Sequence, residues 1–144
     1  MKLDALVQWY ESLTPETIHD LGDIYHENAR FRDPFNDVYG HEAIAGIFRH
    51  MFDATKNPSF RITERQMQGR IAWVSWTFTF GLRGEIRSIE GVTRLAFGDD
   101  GRVVDHRDFW DATVLLEAFP FIGAMLRFIK RRLHAPGSKK RNRK

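Results

Sequence analysis

Residues 71–82 read IAWVSWTFTFGL, and their alternation decides the fold. Val74, Trp76, Phe78 and Phe80 fall on one side of an extended chain and Ser75, Thr77 and Thr79 on the other, because successive strand side chains point to opposite faces. Upstream, SFRITERQMQ (59–68) alternates Phe60 and Ile62 with polar neighbours. Downstream, RSIEGVTRLAFG (87–98) sets Ile89, Gly91, Thr93, Leu95 and Phe97 opposite Glu90, Val92, Arg94 and Ala96. Asp99-Asp100-Gly101 is a hairpin turn signal. RVVDHRDFWD then runs to Asp111, with Val104, His106, Asp108 and Trp110 on the inner side. These are four consecutive strands, which predicts an antiparallel sheet.

Before residue 59 the period is that of helices. Leu3, Leu6, Val7 and Tyr10 form one apolar stripe. Thr14 caps a second helix with Pro15 in its first turn, running through Ile18, Leu21, Ile24 and Tyr25. A third helix after Gly40 carries Ile44, Ile47, Phe48, Met51 and Phe52, and Asn57-Pro58 ends it. Between the second and third lies ARFRDPFNDVYGHEAI (29–44), a short strand that stops where Pro34 forces Asp33 into an extended conformation. Ala29, Phe31 and Asp33 share a face, so the Asp33 carboxylate points inward with Phe31. Helices gathered on one face of an antiparallel sheet define the α+β class. The reading is one domain over 1–111. A C-terminal amphipathic helical extension over 112–134 follows, broken at Pro120, and a basic disordered tail over 135–144 ends the chain.

Composition narrows the chemistry. The 144 residues include 12 Phe and 4 Trp, which call for a sizeable core, and no Cys. That excludes disulfides, thiolate nucleophiles and Cys-ligated metals, and it fits a reducing, cytoplasmic setting. MKLDALVQWYESL carries acids inside its apolar stretch, unlike a signal peptide. His19, His26, His41 and His50 show no metal-ligand spacing with acids, and no phosphate loop or nucleophile elbow occurs. Neither metal nor cofactor is expected. The net charge of +3 hides a segregation: residues 1–126 hold 13 Lys/Arg against 19 Asp/Glu, a balance of −6, whereas residues 127–144 hold nine Lys/Arg and no acid.

The order helix, helix, strand ending in DP, loop, G-x-x-A-I, helix and four strands resembles the nuclear transport factor 2-like superfamily, which includes ketosteroid isomerases and SnoaL-like polyketide cyclases. The resemblance spans roughly residues 3–111. It implies a curved sheet closing over three helices into a cone with an apolar pocket, and homodimers that meet through the sheet's outer face. It is similar to ketosteroid isomerase at three places. The acid of the family's DP, its general base, falls on Asp33. The tyrosine of its VQ-x-Y stretch, an oxyanion donor, falls on Tyr10 of LVQWY. The family's second donor, a protonated aspartate, falls on Thr93, a departure from the pattern.

The expected pocket is lined by Trp76, Phe78, Phe80, Thr93, Leu95 and Trp110. His106 and Asp108 project into the same apolar face, about 6.5–7 Å apart along one strand. Burying either group unpaired costs roughly 2–7 kcal/mol, so they must pair with each other, with Tyr10 or with Asp33. These groups permit proton abstraction next to a carbonyl, with Asp33 as base and Tyr10, Asp108 or His106 donating to the enolate oxygen. Asp33 could equally cap its own loop, and Tyr10 could be a core tyrosine. The functional expectation is a SnoaL-like protein that binds a small apolar or carbonyl-bearing molecule and isomerises or cyclises it without a cofactor. The alternative is a non-catalytic ligand-binding or dimerising accessory module. The basic end, 127–144, reads as a solvated closing helix or as a contact for an anionic membrane surface. Nucleic acid is disfavoured, because the body is acidic and the tail lacks aromatics for stacking.

Overall fold

The computed structural model describes residues 2–136. The chain divides into two compact units, Met1–Asp111 and Ala112–Lys144. The first contains α1 (Lys2–Glu11), a 3-10 helix (Glu16–Asp20), α2 (Leu21–Ile24), β1 (Tyr25–Arg32), β2 (Asp37–Tyr39), α3 (His41–Ala54), β3 (Lys56–Gln68), β4 (Ile71–Leu82), β5 (Glu85–Phe97) and β6 (Val103–Trp110). The strands form one curved, open six-stranded sheet in the order β2-β1-β6-β5-β4-β3.

Alternation places the core. Val74, Trp76 and Phe80 of β4 and Ile89, Gly91, Thr93, Leu95 and Phe97 of β5 are buried on the inner face, while Trp73, Ser88 and Glu90 are exposed. Against that face pack Leu3, Leu6, Val7 and Tyr10 of α1 and Ile44, Ala45 and Phe48 of α3. Trp9 stands edge-on to Tyr10, Tyr25 and Phe48, with ring centroids 5.2, 6.3 and 5.3 Å away. Burial of such aromatics dominates a small core, at roughly 1.5–3 kcal/mol for each side chain fully withdrawn from water.

The structure changes the sequence reading at four points. The second helix does not continue to Tyr25; a 3-10 turn and the four-residue α2 stop at Ile24, and Tyr25 opens β1 opposite Val103. Thr14 and Thr17 still exchange backbone-to-hydroxyl bonds of 2.9 and 3.3 Å at the start of this segment. A further short strand, β2, pairs antiparallel with β1 at Phe31↔Val38. β1 pairs with β6 in parallel, so one pairing departs from the antiparallel pattern of the rest. Finally, Val104 is not on the inner face with His106. Phe97 faces Val103 and Ala96 faces Asp105, so Val104 is the extra residue of a bulge. Val103 is fully buried in its stead. One inserted residue resets the period of two, which alternation alone does not reveal.

The hairpin at Asp99-Asp100-Gly101 forms as expected, with Gly101 at φ 76°, a left-handed turn conformation suited to glycine.

The second unit holds α4 (Ala112–Leu116) and α5 (Pro120–Leu133). Pro120 sits in the first turn of α5, where its missing N–H costs nothing. Lys130 Nζ reaches Glu117 Oε1 at 2.6 Å. The tail expected to be disordered lies, from residue 137 onward, outside the described residues. Among the described residues no helix is long and apolar enough to cross a membrane.

Candidate functional site

The inner face of the first unit carries a continuous chain of polar side chains. Trp76 Nε1–H donates to Thr93 Oγ1 at 2.8 Å, and the Thr93 hydroxyl donates to Asp108 Oδ1 at 2.5 Å. His106 Nε2 lies 2.7 Å from the same Oδ1. On the other side of the imidazole, Nδ1 is 2.9 Å from Tyr25 Oη and 3.4 Å from Tyr10 Oη, and the two phenol oxygens are 2.6 Å apart.

Strand geometry explains the assembly. Thr93 faces Asp108, and Leu95 faces His106, as direct partners across β5 and β6. Trp76 faces Gly91 across β4 and β5. A Cβ on Gly91 would stand 2.3 Å from Trp76 Cζ2, so glycine lets the indole lie against the strand and reach Thr93 diagonally. The parallel pairing brings Phe31 beside His106, and their rings stack at 4.2 Å and 19°. His106 is thus fixed in orientation by a ring on its face and by bonds at both nitrogens.

One arrangement of protons uses every donor along this chain. With the imidazole neutral and its proton on Nε2, that proton goes to Asp108, the Tyr25 hydroxyl donates to Nδ1, and the Tyr10 hydroxyl donates to Tyr25. Every donor is then used. Burial pushes the pKa of Tyr10 well above its ordinary value, and the neighbouring Tyr25 and Asp108 add to the rise. Burial also raises Tyr25, against a smaller lowering by its bond from Tyr10. Both phenols are therefore held neutral, as donors.

Asp108 ends the chain. Its side chain is 15% exposed against 2% for His106. Oδ1 takes both bonds, and among the described residues no hydrogen bond reaches Oδ2.

Asp33 is placed differently. Oδ1 accepts the backbone N–H groups of Phe35 and Asn36 at 2.7 Å each and the Asn36 side-chain amide at 3.0 Å; Oδ2 takes that amide at 3.0 Å as well. This is an Asx turn that closes the loop. The pairing of β1 with β6 is last seen at Arg32↔Arg107, and Asp33 lies just past the end of β1. The loop also sets Phe35 edge-on to Trp110, 5.6 Å away. Among the described residues no hydrogen bond links Asp33 to the Tyr10–Asp108 chain.

Of the expected lining residues, Phe78 and Trp110 are half-buried, whereas Leu95 has no exposed surface and Thr93 only 5%. The last two support the site from within the sheet. Phe78 stacks on Phe60 and Phe80 at 4.6 and 4.9 Å. A separate surface groove of about 620 Å³ between α1 and β3, lined by Asp4, Gln8, Glu11 and Arg65 among others, contains none of these residues. Among the described residues no group of three or more His, Asp or Glu is placed to hold a metal ion. The member that sequence reading missed is Tyr25, counted as the end of a helix. Stepping back by twos from Phe31 and Ala29 puts Tyr25 on the inner face, and that parity was the available signal.

Residues 6–106 match the SnoaL-like domain, and the chain belongs to that family. The fold recurs in solved structures. One is a hypothetical protein with a ketosteroid isomerase-like fold from Catenulispora acidiphila, in complex with trimethylamine (15% identity, 83% of this chain and 93% of that chain, TM-score 0.70). Another is a candidate SnoaL-like polyketide cyclase from Jannaschia sp. CCS1 (15% identity, 81% and 90%, TM-score 0.72). A third is a candidate isomerase of the SnoaL-like family from Agrobacterium tumefaciens (19% identity, 76% and 94%, TM-score 0.64). No curated protein matches the chain. At these identities the likeness is one of fold.

Proposed function

We propose that this chain binds a small carbonyl-bearing molecule beside Phe78 and Trp110 and moves a proton on it through Asp108, without a cofactor. The observation that carries the reading is the division of labour within one carboxylate: Oδ1 is held by Thr93 and His106, while Oδ2 takes no hydrogen bond among the described residues. The free oxygen takes a proton from the carbon next to the carbonyl, and the bonding pair moves into the enolate. Returning the proton to another carbon isomerises the molecule; attack by the enolate carbon on a second carbonyl closes a ring, and the alkoxide so formed takes the proton back from Asp108. Oδ1 is anchored before the reaction begins, so the carboxylate needs no reorientation. Isomerase and cyclase descriptions of similar folds support the reading as family-level context. In this account Asp33 is the cap of the Phe35 loop.

The test has two parts. Native mass spectrometry of protein purified without stripping identifies a retained guest. Deuterium uptake from heavy water into a cyclic ketone probe, followed by NMR, then compares the wild type with Asp108→Asn. Loss of about 10²–10⁴-fold in exchange supports the reading; equal exchange in both proteins defeats it.

The same chain is proposed to form a homodimer through the outer face of the sheet. Trp73 and Phe109 are 45% and 43% exposed there. Their rings stack at 6.2 Å, and the Arg107 guanidinium sits 4.7 Å above Phe109. A preformed apolar pair on a sheet face fits an interface core. Light scattering should give a dimer for the wild type and a monomer for Trp73→Ser/Phe109→Ser; an unchanged mass rejects this interface.

A further inference from the structure

Helix α5 presents an apolar stripe that its own unit does not cover. Phe121, Met125, Phe128, Ile129 and Leu133 recur at the spacing of one helical face, and they are 91%, 56%, 51%, 43% and 78% exposed. The stripe runs about 18 Å at 1.5 Å rise per residue. Arg127, Lys130 and Arg131 lie off that stripe, and the Arg132 guanidinium packs 5.2 Å from the Phe128 ring. No acid follows Glu117 in the sequence, and residues 127–144 carry nine Lys/Arg while residues 1–126 are net −6.

We propose that α5 lies flat on an anionic lipid bilayer surface, its aromatic and aliphatic stripe in the headgroup–acyl boundary and its basic side chains among the headgroups. This goes beyond the proton-transfer reading and uses none of its residues. Charge selects the occupant. A second copy of the helix would bring the same run of positive charge against the first and be repelled. Nucleic acid would satisfy the charge but leave Phe121 and Met125 in water. An anionic bilayer takes both features, because the binding of such a helix grows with buried apolar area and with attraction to anionic lipid. Each basic residue near the surface contributes about fivefold in binding.

The experiment is flotation of the full chain with vesicles of phosphatidylcholine alone and with added phosphatidylglycerol. Flotation is expected only with the anionic vesicles and should fall as salt is raised. Arg127→Gln/Arg131→Gln should lose about 25-fold, and Met125→Ser/Phe128→Ser should abolish it, both with unchanged thermal melting. Absence of flotation with anionic vesicles, or flotation that neither variant weakens, overturns the proposal. So does a fall in oligomer mass of Met125→Ser/Phe128→Ser with flotation intact, which would assign the stripe to a second copy.

Discussion

His106 and Asp108 are two residues apart on β6 and share the inner face, and the imidazole Nε2 sits 2.7 Å from the carboxylate Oδ1. The bulge at Val104, before both, sets the face on which they project. The imidazole is nearly sealed, so its far nitrogen depends on protein hydroxyls for a partner.

Tyr25→Phe removes the 2.9 Å partner of His106 Nδ1 and leaves only Tyr10 at 3.4 Å. The expected cost is about 1–3 kcal/mol, because a buried acceptor loses its donor. Tyr10→Phe trims the inner end of the chain and should cost less, about 0.5–1.5 kcal/mol. Urea unfolding of the two variants measures the order.

The two buried phenols give an alkaline limit. Their pKa values are raised in the folded protein, while in the unfolded chain they return to the ordinary value of 10.0. Below pH 10 their contribution to stability is complete. Above it the unfolded state gains by releasing protons, and stability falls as pH climbs toward the folded values. Phenolate absorbance from these two of the chain's three tyrosines should therefore appear together with loss of secondary structure, not before it.

Gly91→Ala would place a methyl group 2.3 Å from Trp76 Cζ2. The indole must shift and lose Thr93, with a destabilisation of about 1–3 kcal/mol. A changed near-ultraviolet circular dichroism band of tryptophan should accompany it.

Asp33 separates two roles by substitution. Asp33→Asn keeps an oxygen able to accept the Phe35 and Asn36 N–H groups and should retain proton exchange. Asp33→Ala removes the cap, frees Phe35 from Trp110 and should cost about 1 kcal/mol. If Asp33→Asn abolishes exchange while Asp108→Asn retains it, the base is Asp33.

The sheet was legible because Val74 to Phe80 and Ile89 to Phe97 alternate without interruption, and α3 because Ile44 and Phe48 repeat at helical spacing. Asp33 before proline marked the strand end and its turn. The parallel pairing of β1 with β6 was not legible, since alternation tells which face a residue takes and not which strand lies beside it. Val104 was misplaced by a bulge, and Tyr25 by a four-residue helix too short to impose its own period. Within the site, His106, Asp108, Thr93 and Trp76 were all named on inner-face parity. Their connection through shared oxygens required coordinates.

The ladder of hydroxyls has a blind end. Tyr10 is ringed by Trp9, Phe48 and Phe60, none of which can receive its hydrogen. On the proposed reading, a proton captured by Asp108 therefore has no inward route among the described residues and leaves through the oxygen that admitted it. Redeposition of an isotopic label on the guest and its exchange with the medium should accordingly both occur at that one oxygen, and Tyr10→Phe should leave their ratio unchanged.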